Sequence, residues 1–419
     1  MSNDLLQDIQ TLQFLDKPKA EAMLKTLIGE VFSLDVVAVE LRPLAVSLNS
    51  FNGFVTLADN RRLFFKTHTE PDSVVGEYYN SAVLAEAGYP VIRPVMSSTE
   101  SGKQLLIYEV INDPSVFDVA WQIECGQSSE AEGLSAAQHA ADDELRQFYF
   151  NRLAIQPAEQ AAQAGVHQLF YHRLTGGRLV KFYGSLPGQQ GEDVSIQLPG
   201  TTMPMSAVRR KQWVINGQRY EVTLDNLIQN AIEDLNPAQE GPSVIGHGDA
   251  HNGNVFYNQE SRSLTYFDPA FAGRHDPLLD LTKPLFHNVF AMWMYFPQEK
   301  AQALNISWDQ QGDTWIVDHN YNLHPIREMF LTSKTDRVLV PLLSELVRRG
   351  WLRSDWRRFL KSALFCCPFL TMNLADANKF PPEISLLGLS MAVEMGADSM
   401  DKRSRIDQLF DQVETGLGQ

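Results

Sequence analysis

Two short apolar runs, Val244-Ile245 and Val255-Phe256, enclose the block Gly246-His247-Gly248-Asp249-Ala250-His251-Asn252-Gly253-Asn254. A further carboxylate follows nineteen residues after Asp249, at Asp268 in Tyr266-Phe267-Asp268-Pro269. Imidazoles, carboxylates and amides at this density cannot be buried as ordinary core, because unpaired polar groups are costly away from water. The block therefore reads as a polar loop between two strands, dense enough in such groups to hold a metal. This is the strongest constraint on the fold that the chain carries.

The chain has 419 residues, enough for roughly two to three compact units. Hydrophobic residues make up 44% and charged residues 21%, which excludes a mainly disordered, collagenous or coiled-coil protein. A net charge of -16 and a pI near 5.1 make nucleic acid and anionic membrane poor partners. The three cysteines form no CxxC pair, and Cys366-Cys367 sits in an apolar run that reads as core. The N-terminus lacks a basic segment followed by an apolar one, and no long apolar run occurs, so a cytoplasmic location is expected. The oligomeric state is open.

Residues 4–30 read as helix. Val36 to Leu41, Gly53 to Leu57 and Arg62 to Lys66 are β-type runs, separated by turn-prone Asn52-Gly53 and Asp59-Asn60. Residues 73–87 have helical spacing, stopped by Gly88 and Pro90, and β-type runs follow at Val91 to Val95 and Gln104 to Val110. Residues 129–163 look helical. An insert at about 167–224 contains Asn216-Gly217 flanked by β-type residues, a hairpin signal. From 278 onward the chain reads as largely helical, broken at Gly312 among other sites.

Phosphoryl transfer requires the residue types found here. One carboxylate takes the proton of an incoming hydroxyl, another with an amide oxygen holds a divalent cation, and a distant lysine offsets phosphate charge. His247-Gly248-Asp249-x-His251-x-Gly253-Asn254, followed by Phe267-Asp268, resembles the catalytic loop and metal-binding strand of the aminoglycoside phosphotransferase and choline kinase group. That resemblance implies an α+β, protein-kinase-like two-lobe fold. Its N-terminal lobe would be an antiparallel sheet with one key helix, over 1–110. Its mainly helical C-terminal lobe would span 111–419 and carry the β-containing insert. Carried over by position, Asp249 is the catalytic base, and Asn254 and Asp268 are Mg²⁺ ligands. Asp280, in Asp276-Pro277-Leu278-Leu279-Asp280-Leu281, braces the loop together with His247. Lys66 ends a β-type run and would contact phosphate, with Glu77 as its partner on the following helix. Ser50 would approach the phosphates, and Tyr108, Glu109 and Val110 would line the adenine. The resemblance thus implies Mg²⁺ and ATP or GTP as cofactors and a small-molecule hydroxyl acceptor.

The expected phosphate-covering segment, Ser47 to Gly53, has one glycine and no G-x-G-x-x-G, leaving Ser47, Asn49 and Ser50 as donors. Phe64 shares a strand face with Lys66, where its ring would meet the base. A protein kinase is disfavoured, because Phe267-Asp268-Pro269 lacks the glycine of the DFG pattern and no Ala-Pro-Glu follows. Two alternatives are a metallohydrolase built on His247, Asp249 and His251, and a non-catalytic nucleotide-binding protein on the kinase fold. His251 is equally suited to bond loop backbone or approach substrate. Tyr171-His172-Arg173 and Arg178 read as polar surface of the insert, and Ala291 to Tyr295 as helix core.

Overall fold

A computed structural model describes residues 2–42, 50–68, 80–100, 102–186, 189 and 191–417. The chain forms two compact units, Met1–Pro114 with Thr265–Ala272, and Ser115–Leu264 with Gly273–Gln419.

The first unit begins with helices α1 (Ser2–Leu15) and α2 (Lys17–Phe32). Asp16 starts α2 by accepting from Lys19 N at 3.2 Å, and Ser33 ends it at φ 53°. Five strands follow: β1 (Val36–Leu41), β2 (Ser50–Leu57), β3 (Arg62–His68), β4 (Met96–Ser98) and β5 (Leu105–Glu109). They pair antiparallel in the order β1-β2-β3-β5-β4. In β3 the period of two sends Leu63, Phe65 and Thr67 into the core and leaves half-buried Phe64 and Lys66 on the other face. Leu24 and Ile28 of α2 pack on Val55, Phe65 and Ile107 of the sheet.

Two local expectations are corrected here. Asn52-Gly53 is no turn: both lie inside β2, where Asn52 faces Lys66 and Gly53 faces Phe65. A Cβ on Gly53 would come within 2.1 Å of the Glu40 carbonyl, so this glycine permits close strand approach. The other expected turn, Asp59-Asn60, is present, with Asn60 at φ 66°. Val91 to Val95 is no strand either. Pro90 and Pro94 lack N–H groups, Val91 makes a lone bridge to Tyr266, and pairing resumes at Met96. The helix expected over 73–87 is described over 80–87, ending at Gly88 with φ 103°. Glu77, Ser47 and Asn49 lie outside the described residues, as does the side chain of Ser50.

The second unit is mainly helical. Its core includes Trp356–Leu370 and Pro382–Gly396, helices buried along nearly their whole length. Cys366 and Cys367 are buried free thiols in the first of these. Strand Gly241–Gly246 pairs antiparallel with Gly273–His275 and Ala154–Gln156 and delivers the polar block at its end. The insert contains two hairpins, Ser195–Leu198 with Thr201–Pro204 and Gln212–Ile215 with Gln218–Tyr220. The latter turns on Asn216-Gly217, with φ 50° and 77°.

Residues after 278 depart from their helical expectation once. Ile306–Gln311 and Thr314–His319 form a hairpin around Gly312, and its second strand pairs parallel with Gln212–Ile215. Trp213 and Trp315 meet there, ring centroids 5.0 Å apart. Among the described residues no helix is long and apolar enough to cross a membrane.

Candidate active site

Strand Gly241–Gly246 ends at buried His247, and Gly248 turns the chain at φ 81°. His247 Nδ1 faces Asp249 N at 3.4 Å, while His251 Nδ1 accepts from Gly253 N at 3.0 Å. His251 therefore bonds loop backbone. Asn254 Nδ2 donates to Asp249 O at 2.9 Å, closing the loop on itself.

The loop is clamped from the helix Pro277–His287. Buried Asp280 accepts from Gly248 N, from Tyr149 Oη and from His275 Nε2, the last at 3.0 Å. Burial pushes the Asp280 carboxyl up, but these bonds and the His275 charge outweigh it and hold it at about 2. Asn288 just beyond the helix accepts from Asn252 N at 2.7 Å and is itself held through its carbonyl by Arg327.

Asp249 is half-buried, and its Oδ1 is a buried oxygen with no hydrogen-bond partner. Lys283 Nζ stands 4.0 Å from it. Burial raises the Asp249 carboxyl, but the charges of Lys283, His251, Arg173 and His247 outweigh that and hold it below the usual carboxylate range. The group is thus ionised at neutral pH, with a free lone pair for a proton.

Lys283 Nζ also meets His287 Nε2 at 3.3 Å, and His287 Nδ1 meets Tyr295 Oη at 2.8 Å. Burial, then the Lys283 charge, keeps His287 neutral. Arg173 is half-buried and reaches Thr371 Oγ1 at 3.5 Å, so it is not plain insert surface as expected. Tyr295 likewise turns from the helix core toward His287.

Lys283, His287, Arg173 and Tyr295 were not assigned a role from the sequence. A lysine inside the apolar run Leu278 to Phe286 was the available signal.

In the first unit, Lys66 Nζ and Asp268 Oδ1 form an ion pair at 2.7 Å. Asp268 is carried on a segment joined to the sheet by Tyr266 N to Pro90 O at 2.7 Å and Ile92 N to Tyr266 O at 2.9 Å. Its φ of 54° is left-handed, a conformation that L residues adopt at a cost and often at functional sites. Phe64 packs between Phe54 and Tyr108, centroids 5.8 and 6.3 Å away. Tyr108 and Glu109 end β5, and Val110 follows it.

The histidines of the loop do not converge as metal ligands. His247 Nδ1 and His251 Nδ1 face the backbone N–H groups of Asp249 and Gly253, and His275 is on Asp280. Among the described residues no group of three or more His, Cys, Asp or Glu side chains is gathered to hold a metal ion.

An α+β chain with this clamped Asp/Asn loop and a strand lysine paired to a remote carboxylate is built as a kinase-like phosphotransferase. The chain belongs to the phosphotransferase enzyme family, whose pattern matches residues 40–315. Solved structures similar to it include amicoumacin kinase hAmiN in complex with AMP-PNP, Ca²⁺ and Ami. That match has 14% identity, covers 88% of this chain and 92% of that one, and has a TM-score of 0.46. Macrolide 2'-phosphotransferase MphH from Brachybacterium faecium shares 13% identity over 90% of this chain and 98% of its own, with a TM-score of 0.40. A thermostable aminoglycoside phosphotransferase APH(4)-Ia, in a ternary complex with ADP and hygromycin B, shares 10% over 89% and 98%, with a TM-score of 0.46. No curated protein matches the chain.

Proposed function

We propose that the chain transfers the γ-phosphoryl group of ATP or GTP to a hydroxyl of a small molecule. Residues 1–110 would serve the nucleotide and 111–419 the acceptor, with specificity set in part by the 167–224 insert. The observation that carries this reading is the unpartnered Asp249 Oδ1 on a loop tied down by Asn254 and Asp280. A general base needs both a free lone pair and a fixed position.

Asp249 Oδ1 would orient the acceptor hydroxyl and take its proton as the oxygen–phosphorus bond forms. The Asn254 amide oxygen and the Asp268 carboxylate are hard oxygen donors, the chemistry that suits Mg²⁺. When bound, a magnesium nucleotide supplies the phosphoryl group and the cation that offsets its charge. Lys66, paired with Asp268, would turn to phosphate, with Glu77 as its partner. Ser50 would lie along the phosphates. Tyr108, Glu109 and Val110 would border the base, with Phe64 narrowing that side. His247 and Asp280 would keep the loop in shape.

The test is ADP or GDP release with Asp249→Asn, Asp268→Asn and Lys66→Met beside wild type. Asp249→Asn should lose about 10²–10⁴-fold in kcat while still binding magnesium nucleotide. Asp268→Asn should lose the nucleotide-induced rise in melting temperature. Full turnover by folded Asp249→Asn would sink the assignment.

A further inference from the structure

The side chains around Asp249 carry an excess of positive charge in a chain whose net charge is -16. Arg173 and Lys283 are joined through Thr371 and His287, with Arg178 beside Arg173, and the Asp249 carboxylate faces Lys283. Lys283 is 3% exposed, and its ammonium meets His287 Nε2 at 3.3 Å and stands 4.0 Å from Asp249 Oδ1. Arg173 reaches Thr371 Oγ1 at the limit of a hydrogen bond, and its Nε is buried with no partner. Arg178, at the exposed rim, bonds Leu370 O at 3.3 Å.

Several other buried or half-buried cations of this unit have carboxylate partners, although Arg274 bonds only carbonyl and hydroxyl oxygens. Arg327 meets Glu124 at 2.8 Å, Arg209 meets Asp225 at 3.2 Å, Lys334 meets Asp142, and Lys361 meets Asp407. Arg357 meets four carboxylates. Among the described residues neither Arg173 nor Arg178 forms an ion pair.

Like charges crowded together and taken from water are unfavourable unless an anion completes them. Burial and then the Arg173 charge push Lys283 down, while Asp249 draws it back up. A guanidinium with unused donors is shaped for a planar or tetrahedral oxyanion.

We propose that the acceptor of this phosphotransferase carries its own anionic group, a carboxylate or phosphate, held by Arg173 and Lys283 while its hydroxyl faces Asp249. The proposal rests on the reading of Asp249 as the base. Arg178 draws the anion in from the rim. Neutral polyols and amino alcohols lack the group that the cluster holds, and polycations are repelled by it.

The experiment is a thermal-shift titration of the full chain with four probes of one scaffold: glycerate, glycerol 3-phosphate, glycerol and serinol. MgATP and inorganic phosphate are run in parallel. Glycerate or glycerol 3-phosphate should stabilise the wild type, and whichever is tighter tells carboxylate from phosphate. Glycerol and serinol should not stabilise it. Arg173→Gln and Lys283→Gln should weaken the anionic probe by about tenfold or more. Arg178→Gln, an exposed change that leaves the core intact, should weaken it several-fold.

MgATP should still raise the melting temperature of Arg173→Gln. If it fails in step with the anionic probe, the cations serve the nucleotide and the proposal falls. It falls equally if no anionic probe stabilises the wild type, or if glycerol or serinol matches the anions. Anion affinity unchanged in Arg178→Gln and in folded Arg173→Gln would also overturn it. Asp249→Asn separates the two readings: it should keep anion binding and lose transfer. Transfer retained in that variant would remove the base assignment and leave the anion site standing.

Discussion

Gly246 shows how far a single residue controls the loop. A Cβ at this position would lie 2.5 Å from the Asp280 carboxyl group, which occupies the space itself. Gly246→Ala must therefore displace Asp280 from Gly248 N and His275. Leaving buried hydrogen-bonding groups unpaired costs about 1–3 kcal/mol, so the melting temperature should fall and phosphotransfer should fall with it. An unchanged rate in Gly246→Ala would mean that the loop keeps its shape without the clamp. At this scale the sequence was informative where chemistry is local. Asp249 and Asn254 are five residues apart, and the amide does close on the Asp249 carbonyl. Lys66 and Asp268 share nothing local; the family resemblance singled out both, with Glu77 as the partner expected for Lys66, and the fold pairs Lys66 with Asp268. Lys283 was not legible in the same way. A lysine in an apolar helix reads as a surface residue until folding brings it beside Asp249, and no spacing rule encodes that meeting.

Elements succeed or fail on the same distinction between local and distant causes. Asn216-Gly217 makes its hairpin because positive φ at two consecutive positions is a property of those residues. Asn52-Gly53 uses the same dipeptide inside a strand, because the glycine answers to Glu40 on the neighbouring strand and not to its own turn. The hairpin Ile306–His319 was hidden by Gly312, which marks a strand turn as readily as a helix break. Its strands are completed by parallel pairing with Gln212–Ile215, far away in sequence. The helix Arg405–Leu417 is held by such distant partners too. Buried Asp407 accepts from Ser399 N at 2.8 Å and from Ser399 Oγ at 2.6 Å, and pairs with Lys361 and Arg357. Removing one partner of a buried ion pair strands the other charge, at a cost of about 3–5 kcal/mol. Asp407→Ala should therefore lower the urea midpoint by that loss divided by the slope, with the slope unchanged. A loss as small as that of an exposed ion pair would show that the remaining carboxylates suffice, Asp398 for Lys361 and Asp398, Asp411 and Glu414 for Arg357.

Over the whole molecule, buried ionisable groups act in opposite directions and set the pH range of stability. Burial holds His167 and His319 at about 4 and His287 well below the usual imidazole range. The unfolded chain binds those protons at pH 5 and the folded chain does not, so these groups favour higher pH. Glu394 and Asp276 oppose them, because burial raises the one to about 7 and the other to about 6. A folded carboxyl pKa raised above its unfolded value contributes most below the unfolded value, and the contribution is lost as pH climbs through the folded one. For Glu394 that window opens near the ordinary glutamate value of 4.5 and closes at about 7, despite the relief given by Lys361. Above it the buried carboxylate carries a penalty on the order of 3 kcal/mol. Asp280, held at about 2, works in the other sense and withdraws its support only as pH falls through that value. Glu394→Gln keeps the shape and removes the charge. It should match wild type near pH 4.5 and become progressively more stable than it up to pH 7, as read from urea midpoints at several pH values. A difference that stays constant with pH would mean that Glu394 is not titrating in the folded chain. The neutral-pH penalty would then have to come from other groups.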